Sequence, residues 1–338
     1  MKKFLISSSL ILSSYVFSQD YHFSQIDKMM PLINPATTSN FDGWEKFSAF
    51  HRSQWLGSGT KFYTTNALAE LTLGKKRGRE KAYLGVGIFF ANDVGGDSKM
   101  TSNGGGFSAS GNVPLADGHW LSAGFQTAFN SRSADFSRLY YYNQFNGSGF
   151  DNTLPSGELN QFTTFGYVDA GAGISYRFNK QRNRKYKSKN NGFQIGASIS
   201  HINQPDLKYN VLIEDKLYRK FCLHTNFTIG INSVSGLQFT AAQFFQGPHS
   251  ETNFGVFYEL RLKDVSSLMS VSSERNLYIG SYFRIPSSFA PYVGIDFGDF
   301  SFGISYEKTA GFAGTAFKHS IEVNLSFMVS NKSLFKGR

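Results

Sequence analysis

Residues 319–329, His-Ser-Ile-Glu-Val-Asn-Leu-Ser-Phe-Met-Val, put Ile321, Val323, Leu325 and Phe327 on one parity and Glu322, Asn324 and Ser326 on the other. A β-strand turns successive side chains to opposite faces, so this period of two predicts one greasy and one small or polar face. The pattern recurs upstream. Phe300, Phe302, Ile304 and Tyr306 alternate with Ser301, Gly303 and Ser305, and Leu121, Ala123, Phe125, Thr127 and Phe129 with Ser122, Gly124, Gln126 and Asn130. Carried along the chain, it predicts strands at 44–53, 61–73, 82–91, 103–113, 119–130, 167–178, 193–201, 219–231, 235–244, 252–262, 276–285, 290–297, 300–306 and 319–329. Helical periodicity is almost nowhere.

The 338 residues are 41% apolar and 16% aromatic, with 35 Phe and 17 Tyr, but only 17% are charged, against about 25% in soluble domains. That composition excludes disorder and implies that much of the surface faces something other than water. With Cys222 as the only cysteine, an intrachain disulfide is excluded as well.

The chain opens with Met1, Lys2 and Lys3, followed by an apolar stretch to Phe17 and small residues before Gln19, which reads as a secretory signal peptide over residues 1–18. No later stretch supplies the roughly 18 or more consecutive apolar residues of a membrane helix. An exported membrane protein of this kind spans by closing a sheet, because hydrocarbon leaves no partner for an open edge. The fold class expected is therefore all-β, a transmembrane antiparallel β-barrel of about fourteen strands with an N-terminal plug-like segment. The even strand number and lengths near the roughly 9–11 residues of a tilted crossing agree with it. A secreted β-sandwich would alternate in the same way, but sandwiches seldom carry so many strands or aromatics. The domain layout expected is a signal peptide 1–18, a periplasmic or plug segment 19–42, a barrel 43–329 and a tail 330–338.

If the N-terminus is periplasmic, Pro114 to Gly118, Asn232 to Val234 and Gly298-Asp299 are periplasmic turns, all short, and residues 131–166 form the longest outer loop. The formal charge of +10 is concentrated in two turns assigned to the periplasm. Residues 74–81 carry Lys75, Lys76, Arg77 and Arg79, and residues 179–190 carry Lys180, Arg182, Arg184, Lys185 and Lys187; the segments contribute +4 and +6. They read either as solvated hairpins or as a docking surface for an acidic periplasmic partner or anionic lipid head groups. Nucleic acid is not an expected partner outside the cytoplasm.

Catalysis has little support. Seven His residues show no HxxxH pair, one Cys cannot build a thiolate metal site, and neither a GxSxG elbow nor a phosphate loop occurs. A scattered barrel site at His51, His201 or His224 beside a Ser is the remaining enzymatic option. No catalytic residue, metal or cofactor is assigned.

Between the leader and the first strand stand Asp20-Tyr-His-Phe-Ser-Gln25 and Pro31-Leu-Ile-Asn-Pro-Ala36, and the first strand ends His51-Arg-Ser-Gln-Trp55. Two prolines within five residues argue against helix and against central strand. A lumen of fourteen strands needs filling, and Phe23, Met29, Met30, Leu32 and Ile33 suit a segment folded back into it; a disordered lead is the other reading. These three motifs resemble the PorP/SprF outer-membrane proteins of type IX secretion and gliding motility, whose pattern runs QDPxFSQ, YxxxLNPAxAG, YRxQW. The motif residues matched are Phe23, Ser24, Gln25, Asn34, Pro35, Ala36, Arg52, Gln54 and Trp55. Tyr21, Ile33, Thr37-Thr38-Ser39 and His51 depart from the pattern, which marks a diverged paralogue.

The resemblance implies a non-enzymatic outer-membrane barrel. Its partners would be a secreted adhesin-like protein with a type IX C-terminal sorting domain, held or assisted at the cell surface, or periplasmic ring and linker components of the apparatus. Tyr140, Tyr141, Tyr142, Phe145 and Phe150 in the longest loop are the expected contact residues for such a partner, or else pack as a lid over the mouth. The competing class is a FadL-like transporter of hydrophobic small molecules, which shares the strand number and an N-terminal hatch. The mainly small or polar inward residues, among them Gly85, Gly124, Gly173, Gly196 and Ser198, leave room for a plug instead of lining a greasy path.

Overall fold

A computed structural model describes residues 22–57, 62–75, 80–136, 139–157, 164–180, 191–210, 213–232, 234–262, 275–285, 288–310, 319–330 and 333–335. Every alternating stretch forms a strand: β1 Glu45–Leu56, β2 Phe62–Leu73, β3 Tyr83–Gly95, β4 Met100–Ala116, β5 His119–Ser133, β6 Phe165–Lys180 and β7 Asn191–Ser200. A short pair follows, β8 Asp206–Asn210 and β9 Ile213–Lys216. The second half is β10 Lys220–Gly230, β11 Ser235–Gln246, β12 His249–Leu262, β13 Arg275–Ile285, β14 Ser288–Phe297, β15 Phe300–Thr309 and β16 His319–Val329. All but β8 and β9 close into one antiparallel barrel in the order β1-β16-β15-β14-β13-β12-β11-β10-β7-β6-β5-β4-β3-β2. The seam is sealed by β1 on β16, from Glu45 opposite Val329 to Ser53 opposite Ile321, so no edge is left unpaired.

The barrel is built inside out relative to a water-soluble protein. Along β16, Ser320, Glu322 and Asn324 are buried while Leu325 is exposed. Elsewhere Ile88 is 63% and Phe129 61% exposed, whereas Asn66 is fully buried. A sandwich in water would bury the apolar parity. Here the apolar parity points outward into hydrocarbon and the polar parity encloses the lumen.

Several strands run further than the apolar alternation. β3, β4 and β5 extend past 91, outside 103–113 and past 130; at the outer rim the hydrogen-bonded ladder continues where Asn92, Thr101 and Ser131 interrupt the outward apolar parity. Both ends of the barrel sequence lie at one rim, which we call periplasmic. The two longest connections, 134–164 and 201–219, lie at the opposite, outer rim, as in bacterial outer-membrane barrels. The β8–β9 hairpin within 201–219 has no counterpart among the strands expected from sequence. Its charged residues mask the alternation, and it is held by Leu207 and Leu217, each 2% exposed, packed on Phe165 with Tyr167 alongside.

The segment before β1 is described from His22 onward. Pro31 sits in the first turn of a four-residue helix, α1 Met30–Ile33, and Pro35 opens a 3-10 turn, Pro35–Thr37. The two prolines, expected to oppose helix, therefore occupy starts where no N–H is needed and the fixed φ is already helical. Residues 1–21, including the expected signal peptide and Gln19, lie outside the described residues. Among the described residues no helix is long and apolar enough to cross a membrane.

Candidate functional site

The N-terminal segment crosses the lumen and is held by opposite walls, with the matched motif residues at two of the anchor points. At the first, Arg52 projects inward from β1 and is 2% exposed. Its Nη2 lies 3.0 Å from Glu307 Oε2 on β15, its Nε 3.3 Å from Glu322 Oε1 on β16, and its Nη1 donates to the His22 carbonyl. Arg284 on β13 reaches Glu307 at 3.3 Å and Glu251 at 3.5 Å.

Two guanidiniums face three carboxylates here, and buried charge is costly unless its lone pairs are met. The Phe23-Ser24-Gln25 run supplies the missing donors. Ser24 N–H donates to both Glu322 oxygens at 2.8 and 2.9 Å, Gln25 N–H to Glu322 at 3.2 Å, and Ser24 Oγ–H to Glu307 at 2.8 Å. Gln25 Nε2 donates to Ser305 Oγ at 2.9 Å, and its Oε1 accepts from Asn324. Phe23 packs edge-on against Phe50, with ring centroids 6.5 Å apart. Burial pushes the His22 imidazole down to about 4, so beside Glu251 it is neutral at physiological pH.

The second anchor is Asn34-Pro35-Ala36. Asn34 caps the 3-10 turn, its Oδ1 accepting from Ala36 N–H at 2.9 Å. Its Nδ2 reaches the Ile174 carbonyl at 3.0 Å and the His224 Nε2 at 2.9 Å. Nothing larger than hydrogen fits on the facing wall: a Cβ on Gly173 would strike the Asn34 amide, and one on Gly124 the Pro35 carbonyl. Thr38 and Ser39 continue the contact. Thr38 Oγ1 pairs with Ser108 Oγ at 2.9 Å, and Ser39 N–H donates to the buried Glu70 at 2.7 Å. On the β13–β14 wall, Tyr282 donates to Asp27 at 2.5 Å, and the Lys28 ammonium stands 5.5 and 5.9 Å from the Tyr278 and Tyr292 ring centroids.

One consequence is measurable directly. Gly173→Leu forces Asn34 from its seat and is expected to cost about 1–3 kcal/mol by overpacking. Gly111→Ala, where a Cβ meets nothing within 4 Å, should change little. The midpoint of the heat-induced mobility shift in semi-native electrophoresis reads both.

Gln54 and Trp55 stand further along β1 than the first anchor. They end β1 at the outer rim, where Trp55 adopts φ 58° and meets Phe62 edge-on at 4.5 Å. The sequence reading missed Glu307, Glu322, Arg284, Glu251 and Glu70. A charged residue at an inward position of an otherwise neutral strand was the signal available. The three histidines weighed for catalysis are spread apart. His51 is exposed between Thr65 and Ser53, His201 pairs with Asp169 at 3.0 Å, and His224 serves Asn34. No group of three metal-ligating side chains occurs among the described residues.

In the long outer connection, Gln144 is buried and organises the loop, accepting from Tyr141 N–H at 3.2 Å and donating to the Leu154 carbonyl at 3.1 Å. Phe145 and Phe150 form a bridge, and Phe150 lies 5.4 Å from the Phe145 ring and 5.3 Å from that of Tyr140. The cluster stays open to solvent, with Tyr142 92% exposed. Of the basic turns, Lys76, Arg77, Arg79, Arg182, Arg184, Lys185 and Lys187 lie outside the described residues, as does the side chain of Lys180. Lys75 folds inward at the periplasmic rim, donating to the Phe41 carbonyl 5.2 Å above the Tyr83 ring; burial pushes its ammonium down against the pull of Asp42.

Residues 16–327 match the family model of the type IX secretion system membrane protein PorP/SprF. The chain belongs to the PorP/SprF family. Solved structures similar to this PorP/SprF barrel are found at low identity. The CymD monoaromatic hydrocarbon channel is 10% identical with TM-score 0.50, over 89% of this chain and 92% of its own. The toluene transporter TbuX of Ralstonia pickettii is 12% identical with TM-score 0.49, over 88% and 92%. The translocator domain of the autotransporter NalP from Neisseria meningitidis is 9% identical with TM-score 0.46, over 90% and 96%. The likeness to CymD is one of fold alone. No similar sequence is found among curated proteins. Family and fold together make the PorP/SprF chain an integral outer-membrane component of the type IX secretion system.

Proposed function

We propose that this barrel is a receptor that assists secretion of, or holds at the cell surface, an adhesin-like protein through its type IX C-terminal domain. It does so as a closed, non-catalytic barrel. Residues 1–18 direct export and are removed, residues 19–42 plug the lumen, 43–329 span the outer membrane, and 330–338 form a periplasmic tail. Ser333 and Leu334 of that tail bond to Glu45.

The observation that carries the reading is the aromatic face of the outer loop. Tyr140, Tyr142, Phe145 and Phe150 stand exposed on a loop ordered by its own hydrogen bonds, so little entropy is lost when a partner covers them. Aromatic side chains on an ordered surface are the usual energetic centre of a protein interface. The lumenal anchors support the same reading, because a segment held by a buried ionic cluster does not suit a barrel that passes small molecules continuously. The basic periplasmic turns suit an acidic component of the secretion apparatus or anionic lipid.

The test exchanges residues 139–157 with the corresponding loop of a paralogue and follows which surface protein each strain retains. Retention is expected to switch with the loop. Unchanged retention defeats the receptor reading. The triple replacement of Tyr140, Tyr142 and Phe145 by Ser, at about 2 kcal/mol for each aromatic anchor, should weaken binding more than tenfold.

A further inference from the structure

Between the N-terminal segment and the outer rim lies a cavity of about 270 Å3. Its floor is apolar: Phe23, Ile26, Met29, Leu32 and Ile33 of the N-terminal segment face upward into it. Its wall comes from the outer ends of β3 to β7 and β10 to β12, and sets polar Gln126, Asp169 and Asn253 among apolar Phe89, Ala128 and Phe244. Among the described residues, three buried acceptors in that wall have no hydrogen-bond partner, Gln126 Oε1, Asp169 Oδ1 and Asn253 Oδ1. Buried acceptors are nearly always paired, and soft terminal torsions let side-chain amides turn toward a guest. The wall carries both signs of charge, Asp93, Asp169 and Glu251 against Arg132 and Lys220, with His201 3.0 Å from Asp169 and Arg284 3.5 Å from Glu251 behind it. A ligand suited to this site carries an apolar group for the floor and N–H donors for the wall.

An extended polypeptide supplies both, a side chain below and main-chain amides beside it. Ligand pockets usually span about 300–1,000 Å3, so this cavity admits one side chain with its flanking backbone and not a folded element. Its position favours a peptide over a free small molecule. The aromatic loop joins β5 to β6, and Arg132 and Tyr167, at the ends of those strands, line the cavity. A protein engaged by that loop sits over the mouth.

We propose that the cavity receives an extended segment of the secreted partner, with one apolar side chain on the Phe23, Met29, Leu32 and Ile33 floor and backbone N–H groups on Gln126, Asp169 and Asn253. This rests on the receptor reading and adds to it a second contact inside the lumen. The test places the photo-cross-linker p-benzoylphenylalanine at Met100 in the cavity wall, at Tyr142 in the loop, or at lipid-facing Phe125, in full-length protein in cells. Adducts are mapped by peptide mass spectrometry, and each variant is first checked for wild-type heat-modifiability.

The expected result is adducts from Met100 and Tyr142 to the same secreted protein and none to it from Phe125, with the Met100 adducts falling in one short segment. Filling the cavity with Ala128→Trp should cut the Met100 adduct at least tenfold and leave the Tyr142 adduct unchanged. Adducts from Tyr142 without any from Met100 overturn the cavity proposal while the receptor reading stands. Adducts from neither overturn both, and a Met100 adduct of lipid or another small molecule only makes the cavity a small-molecule site and overturns the peptide assignment.

Discussion

Replacing Arg52 by alanine releases the N-terminal segment from the barrel wall. Arg52 is 2% exposed and holds Glu307, Glu322 and the His22 carbonyl at once, so its removal leaves the buried Glu322 without an ion-pair partner among the described residues and Glu307 with Arg284 alone. Breaking a buried ion pair by deleting one partner costs about 3–5 kcal/mol, mostly from the charge left behind. The backbone ladder does not depend on Arg52, so the loss falls on docking of residues 22–25 and not on closure of the barrel. The expected outcome is a folded, heat-modifiable barrel whose N-terminal segment becomes open to a protease that leaves the wild type intact. Arg52→Lys keeps the charge but loses the planar fork that spans Glu307 and Glu322, and should fall between the two. An Arg52→Ala protein as protease-resistant as wild type would remove the cluster from the account.

Excising residues 22–40 opens the lumen. Fourteen strands fall between barrels of about eight, whose interior side chains fill, and those of about sixteen, which hold an aqueous channel. The small inward residues Gly124 and Gly173 are in contact with the segment and carry no side chain of their own to fill the space it would leave. In planar bilayers the refolded, excised chain should give stable conductance steps, whereas the intact chain should give none or rare flickers. Equal conductance from both would mean that the segment does not obstruct the barrel.

The barrel was legible because hydrocarbon imposes its demand on every strand. Ile321, Val323 and Leu325 must all face lipid, and a one-residue slip would turn Glu322 outward, so the pattern survives in sequence. The segment's contacts with the barrel were legible in part. Phe23, Ser24, Gln25, Asn34 and Arg52 stand in motifs, and the glycines that receive Asn34 and Pro35 are visible as a small inward parity. Their partners were not legible. Glu307 lies 255 residues from Arg52 and Glu322 lies 298 from Ser24, and only closure of β1 on β16 and the register of the seam bring them together. Gln54 and Trp55 show the converse: they share a motif with Arg52 but lie further along β1 at the outer rim, Gln54 on the parity of Arg52 and Trp55 on the opposite one with a φ of 58°. The β8–β9 hairpin was missed because, above the lipid band, two leucines suffice to hold it.

The most direct test of the account is affinity purification of the tagged protein from detergent-solubilised outer membranes, with mass spectrometry of what co-elutes. A plugged barrel that receives a secreted partner predicts recovery of a large secreted protein through its C-terminal domain, and loss of that protein when Tyr140, Tyr142 and Phe145 are replaced by Ser. Recovery of bound lipid or hydrocarbon with no secreted protein would contradict the account and make the lumen a path for small hydrophobic molecules.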